Sequence, residues 1–105
     1  MRKYETLLLL SPELSSEEMQ AVLDNLKGVL EREGASILAE DDWGMRELAY
    51  PVRKVMRGHY YRLEYAVDGK AVQELERIIR ITEGIFKFVT VQLDAEYEPT
   101  SEEAA

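Results

Sequence analysis

Two stretches of the sequence repeat apolar residues every three or four positions, and each lies between stretches with the character of β-strands. The first consists of Met19, Val22, Leu23, Leu26, Val29 and Leu30, and the second of Val72, Leu75, Ile78 and Ile79. Such spacing gives a helix one apolar face, which must be buried against another layer. The chain is therefore predicted to form two amphipathic helices packed on one sheet.

Local signals predict where these helices begin and end. Ser15 and Glu18 have the spacing of a capping box at the start of the first helix. Gly34 supplies the left-handed residue that ends it. The second helix follows a break at Gly69 and ends before Gly84.

Four strands are predicted around the helices. Residues 6–10 form a compact apolar run, residues 35–52 alternate irregularly, as in a long bulged strand, and residues 85–93 form the last strand. Residues 59–67 alternate cleanly, so that one face of the third strand carries Tyr61, Leu63, Tyr65 and Val67. Residues 53–58 are polar and basic, and are predicted to be the turn of a hairpin.

The order strand, helix, strand, strand, helix, strand predicts an α+β fold, the split βαβ arrangement of ferredoxin-like domains. Right-handed crossovers place both helices on one face of a four-stranded antiparallel sheet and leave the other face open for binding. The domain is expected to span residues 1–97. Residues 98–105 form an acidic tail without apolar groups to anchor it, and this tail is predicted to be disordered.

Composition limits the class of protein further. A chain of 105 residues, 46% of them hydrophobic, can bury one core. The absence of cysteine excludes disulfides and thiolate metal sites. Because the apolar run at residues 7–10 is too short for a signal core or a membrane span, we expect a cytoplasmic protein.

Charge is unevenly distributed along the chain. The net charge of −8 would by itself repel a polyphosphate. Residues 43–62, however, contain five basic groups and one acidic group, a sum of +4. This segment could contact phosphates, or it could be a solvated turn whose charges keep an edge strand from pairing with another chain.

Catalytic and metal-binding patterns are missing from the sequence. The carboxylates of Glu40, Asp41 and Asp42 are adjacent on a strand and point to alternating faces, which does not suit one cation. His59 is the single histidine and is expected to be solvent-exposed near the turn, and Asn25 is the single asparagine. We therefore expect no enzyme activity, no cofactor and no metal.

Three stretches of the sequence match one known family. They are Met1 to Glu5, the nine residues from Trp43 to Pro51, and Lys54 with Gly58, His59 and Tyr60. In these stretches the chain resembles the sixth-protein family of the bacterial small (30S) ribosomal subunit, and the likeness extends in collinear order over about residues 1–97. The resemblance implies a ferredoxin-like fold, contact with small-subunit ribosomal RNA, and pairing with the eighteenth small-subunit ribosomal protein.

A basic cluster is compatible with that role, since each neutralised phosphate releases counterions. The cluster consists of Arg46, Arg53, Lys54, Arg57 and Arg62, and Arg2 and Lys3 from the first strand could join it. The candidates for RNA binding are Arg2, Lys3, Arg46, Arg53, Lys54 and Arg57. The candidates for the protein-partner surface are Trp43, Tyr60 and Arg62. Base stacking by the tyrosines has little support, because the aromatic-rich octapeptide of RNA-binding sheets is absent.

Two other classes of function are compatible with a ferredoxin-like fold. One is a stand-alone regulatory or ligand-binding module that forms homodimers through its open sheet. The other is a small phosphohydrolase, for which the chain offers no candidate base.

Overall fold

The computed structural model describes residues 1–94. Its elements are β1 (Arg2–Leu10), α1 (Ser16–Arg32), β2 (Ser36–Val52), β3 (Val55–Val67), α2 (Gly69–Ile81) and β4 (Ile85–Asp94). The four strands form one antiparallel sheet in the order β2-β3-β1-β4. The predicted ferredoxin-like fold is thereby confirmed. The predicted domain end at residue 97 and the acidic tail lie outside the described residues.

Both helices cover the same face of the sheet. Tyr4, Leu8 and Leu10 of β1 point to this face, and they share it with Leu63 and Tyr65 of β3 because paired residues face the same way. These side chains form one buried cluster with the apolar faces of the helices: Leu23, Leu26, Val29 and Leu30 from α1 and Ala71, Val72, Leu75 and Ile79 from α2. Within residues 1–94, no helix covers the opposite face of the sheet.

The first helix begins and ends where the sequence predicts. The hydroxyl oxygen of Ser15 accepts a hydrogen bond from the backbone N–H of Glu18 at 3.1 Å, and the Glu18 carboxylate accepts one from the N–H of Ser15 at 3.0 Å. Gly34 follows the helix with a φ of 79°. The hydrogen bond from the Ser15 backbone N–H to the carboxylate lowers the pKa of Glu18, because it favours the ionised form.

The hairpin between β2 and β3 is longer than predicted. Its turn is only Arg53 and Lys54, and β3 begins at Val55, where the sequence had suggested a polar turn up to residue 58. Arg53 and Lys54 have φ values of 49° and 66°. Positive φ at both central residues allows a two-residue connection, so Val52 and Val55 pair beside the turn, after an irregularity in which residues 48–51 of β2 lie opposite Met56. The result is an elongated molecule of 43 × 23 × 22 Å.

The tip of this hairpin contacts the far edge of the sheet. The ammonium of Lys87 on β4 donates to the hydroxyl of Tyr50 at 2.8 Å. The Arg53 guanidinium lies over the Phe86 ring, 5.2 Å from its centroid. These contacts join β2 to β4, although β3 and β1 separate them in the sheet.

Candidate nucleic-acid and protein interface

Four basic side chains lie exposed along the β2–β3 hairpin: Arg46, Arg53, Lys54 and Arg57. Arg46 on β2 pairs with Gly58 on β3, so it lies one position from Arg57 across the ladder. The Nε of Arg46 donates to the carbonyl of Trp43 at 3.1 Å. The structure therefore brings these four predicted residues onto one element.

The positive charge of this hairpin is not neutralised internally. Residues 45–58 contain these four basic groups and one acidic group, Glu47, so their sum is 4 − 1 = +3. Within residues 1–94, none of the four has a carboxylate oxygen within 4.0 Å. Uncompensated and exposed charge of this kind can neutralise phosphates without first breaking an ion pair.

Arg62 does not belong to this positive surface, and its assignment to the phosphate-binding cluster is wrong. Its guanidinium donates to the carboxylates of Glu5, of Asp41 at 2.8 Å and of Glu64 at 3.0 Å. These hydrogen bonds, with that to Glu5 the strongest influence, raise the pKa of Arg62 further above its usual value. Three carboxylates around one guanidinium leave no net positive charge there for a phosphate.

Arg2 and Lys3 are also separate from the hairpin. Arg2 pairs with Val67 at the opposite end of β3 from the turn. The 13 residues of β3, at about 3.3 Å each, put roughly 40 Å of strand between them. Lys3 lies 3.7 Å from the Glu64 carboxylate. The prediction that both residues join the hairpin cluster is wrong, because the strand order places the start of β1 beside the end of β3.

The open face of the sheet carries an apolar surface between charged margins. Leu7 and Leu9 of β1 lie there beside Tyr60 of β3, and Val89 of β4 continues the surface with 56% of its area exposed. Leu7, Leu9, Tyr60 and Val89 line a shallow cavity of about 210 Å³. Leu9 is nevertheless almost fully buried, at 4% exposed.

Trp43 extends this apolar surface toward the hairpin. Its ring lies 6.5 Å from that of Tyr60, and 44% of the side chain is exposed. The register of β2 against β3 shifts between Asp42 and Gly44, which makes Trp43 the extra residue of a bulge. Bulges redirect a side chain out of the ladder. All three residues predicted for the partner surface thus lie on the open side: Trp43 and Tyr60 lie together, and Arg62 lies opposite Leu7 on the same face.

An interaction between Asp42 and His59, which the sequence did not suggest, stabilises this bulge. His59 hydrogen-bonds through Nε2 to the Asp42 carboxylate, which also accepts the N–H of Gly44 at 2.8 Å. Burial acts to raise the pKa of Asp42, but the hydrogen bonds from Gly44 and His59 outweigh it, so the pKa lies below its usual value. The expectation that His59 is solvent-exposed is wrong, since its side chain is only 15% exposed.

The other carboxylates of the acidic triplet also have separate partners. Glu40 accepts from the hydroxyl of Tyr61 at 2.8 Å and lies 3.0 Å from the ammonium of Lys27. Those two hydrogen bonds lower the pKa of Glu40 and connect the edge strand to α1. Asp41 faces the open side with Arg62, so the triplet alternates as the sequence indicates.

Neither α1 nor α2, the helices of the described part of the chain, has the length and apolarity to cross a bilayer.

Comparison with known proteins identifies the family. The family model described as Ribosomal protein S6 matches residues 3–92. The chain belongs to the ribosomal protein S6 family. It is 68% identical over 98 residues to the small ribosomal subunit protein bS6 of Oleidesulfovibrio alaskensis, which covers 93% of this chain and 97% of that one. It is 58% identical to the same protein of Solidesulfovibrio magneticus, with 94% and 97% of the two chains covered.

Solved structures agree with this assignment to the ribosomal protein S6 family. The crystal structure of 30S ribosomal protein S6 from Thermotoga maritima superposes with a TM-score of 0.83 at 29% identity, covering 87% of this chain and 86% of that chain. The C-terminal domain of the MgtC protein from Mycobacterium tuberculosis, at 7% identity and a TM-score of 0.61, shares the fold alone.

Membership of this family shows which functional class of protein the chain belongs to. Proteins of the ribosomal protein S6 family are structural and are not enzymes, and the chain is a small-subunit protein of the cytoplasmic ribosome. The predicted family is confirmed. The homodimeric module and the phosphohydrolase receive no support from these relatives.

Proposed function

We propose that the chain binds small-subunit ribosomal RNA through the β2–β3 hairpin and the eighteenth small-subunit ribosomal protein through the open face of its sheet. The observation that carries the proposal is the exposed charge of +3 on the hairpin, directly beside an uncovered apolar surface. The relatives are proteins of the small ribosomal subunit, which supports an RNA-protein setting.

The RNA side of the proposal rests on electrostatics. Each lysine or arginine that neutralises a phosphate releases condensed counterions, so binding weakens as salt rises. Arg53 and Lys54 occupy the turn itself, and Arg46 and Arg57 flank it on the two strands. Their arrangement along one protruding hairpin suits the backbone of a nucleic acid, which presents phosphates in a row.

The protein side of the proposal rests on complementary charge and apolar area. Around Arg62 the open face carries Lys3 and Arg62 with Glu5, Asp41 and Glu64, a sum of 2 − 3 = −1, and Lys87 of β4 adds one positive charge nearer the hairpin. An acidic protein with an apolar sheet face suits a basic partner, because charge guides the encounter and apolar burial holds it. In this proposal Arg62 fixes the carboxylates that face the partner, while Trp43 and Tyr60 contribute aromatic area.

The two contacts are expected to cooperate. The whole chain carries −8, which opposes RNA binding at long range. A basic partner seated on the open face would offset that charge and add its own phosphate contacts next to the hairpin. The isolated chain should therefore bind RNA weakly, and the two proteins together should bind tightly.

Filter-binding titrations across a series of salt concentrations test this proposal. The double variant Arg46→Ala, Lys54→Ala should lower the salt slope of the two-protein complex by up to about one unit per lost phosphate contact. Arg32→Ala is the matched control, since it removes an exposed arginine from the end of α1. An unchanged slope in the double variant would assign the charges to edge-strand protection instead. Equal, tight RNA affinity with and without the partner would defeat the cooperative part.

A further inference from the structure

A second cationic site lies at the opposite end of the sheet from the hairpin, where β1 begins beside the start of α2. A cleft of about 690 Å³ opens there between Arg2, Tyr4, Asp68, Gly69 and Lys70. Its volume falls in the range of small-ligand sites, roughly 300–1,000 Å³.

The start of α2 leaves its backbone donors without a side-chain cap. Asp68 is at the N-cap position but makes no capping hydrogen bond, and the first turn contains no acidic residue. In contrast, α1 has a complete capping box at the same position. The N–H groups of Gly69 and Lys70 belong to the first turn and have no acceptor within the helix. They carry the positive end of the helix dipole.

A largely buried tyrosine presents its hydroxyl to the same cleft. Tyr4 is 7% exposed, with its ring 6.0 Å from that of Tyr65, yet its hydroxyl lines the cleft and makes no hydrogen bond to any of residues 1–94. A Cβ built on Gly69 would lie 3.4 Å from this hydroxyl and 3.2 Å from Nη1 of Arg2. The phenol, the guanidinium and the first helical residue therefore converge on one small volume.

We infer that this cleft binds the phosphate group of a ligand, held by the amides of Gly69 and Lys70, the Tyr4 hydroxyl and the Arg2 guanidinium. A helix N-terminus with unoccupied N–H groups is an established anion site. Arg2 and Lys70 add two positive charges, and Asp68 at the rim subtracts one. Gly69 is needed because a larger residue would place its Cβ among the donors.

The site does not depend on the proposed function, because a phosphate bound here is roughly 40 Å of strand away from the hairpin. Phosphate binding in this cleft assigns a role to Arg2, which is too far from the hairpin to act with its basic residues. The phosphate could belong to a free phosphate compound or to an RNA backbone, and both present the same oxygens to these donors.

Amide chemical shifts of the full chain, titrated with inorganic phosphate at constant ionic strength, test the inference. We expect saturable shifts centred on the amides of Gly69 and Lys70, with chloride at equal ionic strength causing none. Arg2→Ala and Tyr4→Phe should each weaken binding by roughly three- to tenfold, as for the loss of one charge-assisted hydrogen bond in a partly wet site. Tyr4→Phe retains the ring and thus the packing.

Three further variants separate a binding role from a structural one. Gly69→Ala should fold normally, because alanine is accepted in a helix, but lose most phosphate binding. Asp68→Ala should tighten binding by removing the opposing charge. Arg80→Ala, in the last turn of α2 and thus at the opposite end of that helix, should leave phosphate binding in this cleft unchanged.

A parallel titration with a ribodinucleotide identifies which kind of ligand supplies the phosphate, because the only phosphate of the dinucleotide is a phosphodiester. Saturation by the dinucleotide supports an RNA backbone, and saturation by inorganic phosphate alone supports a free phosphate compound. Absence of saturable shifts at Gly69 and Lys70 with either probe overturns the inference. Equal affinity in the parent chain, Arg2→Ala and Gly69→Ala overturns it as well.

Discussion

At the scale of single residues, Tyr65 shows how a polar group can be accommodated in the centre of the core. The residue is completely buried, and its hydroxyl lies 2.8 Å from Oγ1 of Thr6, which is 3.0 Å from Oγ1 of Thr90. Burial raises the pKa of Tyr65 to about 12, and the hydrogen bond with Thr6 limits the rise. A buried phenol with its hydrogen bonds made costs little, whereas a buried phenolate would cost much more.

The raised pKa predicts a loss of stability at alkaline pH. The unfolded chain releases this proton near pH 10, whereas the folded chain retains it up to about pH 12. The contribution is therefore complete below pH 10 and is lost as pH rises to 12, on the order of 2–3 kcal/mol in the free energy of unfolding. Urea unfolding between pH 8 and 12 measures it.

Two variants serve as comparisons for this alkaline transition. Tyr65→Phe should reduce the decline in the free energy of unfolding, and the part that remains is expected from Tyr61, whose pKa is also raised by burial and by its hydrogen bond to Glu40. Tyr50→Phe should not, because the ammonium of Lys87 lowers the pKa of Tyr50. The same decline in Tyr65→Phe as in the parent chain would refute the assignment to Tyr65.

At the scale of elements, the β2–β3 hairpin combines conformational strain with charge. Two-residue hairpin turns with positive φ at both central residues favour asparagine followed by glycine, yet Arg53 and Lys54 occupy them here. A non-glycine residue in this region costs on the order of 1 kcal/mol or more. Strained residues concentrate at functional sites, so the turn supports a role for these charges in binding.

Replacing Arg53 and Lys54 by asparagine and glycine should therefore separate stability from binding. We expect the free energy of unfolding to rise by about 1–2 kcal/mol as the strain is relieved. RNA binding by the two-protein complex should weaken, and its salt slope should fall by up to about two units. Thermal unfolding and filter binding measure the two effects.

The variant that exchanges the two residues, Arg53→Lys with Lys54→Arg, is the charge-preserving control for the turn. It should bind RNA as the parent chain does. If the asparagine-glycine variant also bound like the parent, the turn would have no contact with phosphate.

At the scale of the whole molecule, the two faces of the sheet have different roles. One face is buried under α1 and α2, while the other exposes Val89 and Val91 at 56% and 47% of their areas. Apolar residues exposed on a strand are tolerated singly but mark an interface when they are contiguous. The fold is therefore stabilised from one side and available for a partner on the other.

A negative charge on the open face should weaken partner binding, whereas the same charge on the exposed surface of the helix layer should not. Val91 lies on the open face opposite Glu5. The substitution Val91→Glu should therefore leave the fold intact and lower partner-dependent RNA affinity by about tenfold or more. Ile81→Glu is the matched control, since Ile81 is 68% exposed at the end of α2. Co-purification with the partner, together with RNA titration, compares them. Equal losses in both variants would place the partner elsewhere.

Most of the fold was accessible from the sequence because its signals are local. The helical stripes, the capping box at Ser15 and the alternation from Tyr61 to Val67 each act over a few residues, and the structure retains them. Their order then allowed few topologies. The boundaries that differed, at the start of β1 and in the hairpin turn, were set by cross-strand pairing with residues distant in the chain.

The site was predictable only in part, because charge acts through distances that the chain order does not contain. The sequence alone determined that positive charge gathers near Arg53 and that the helices need one sheet face. Tertiary structure decided that Arg62 is neutralised by Glu5, Asp41 and Glu64, and that Arg2 lies beside Gly69 at the far end. Strand order and register place those groups together, and neither is a property of any local stretch.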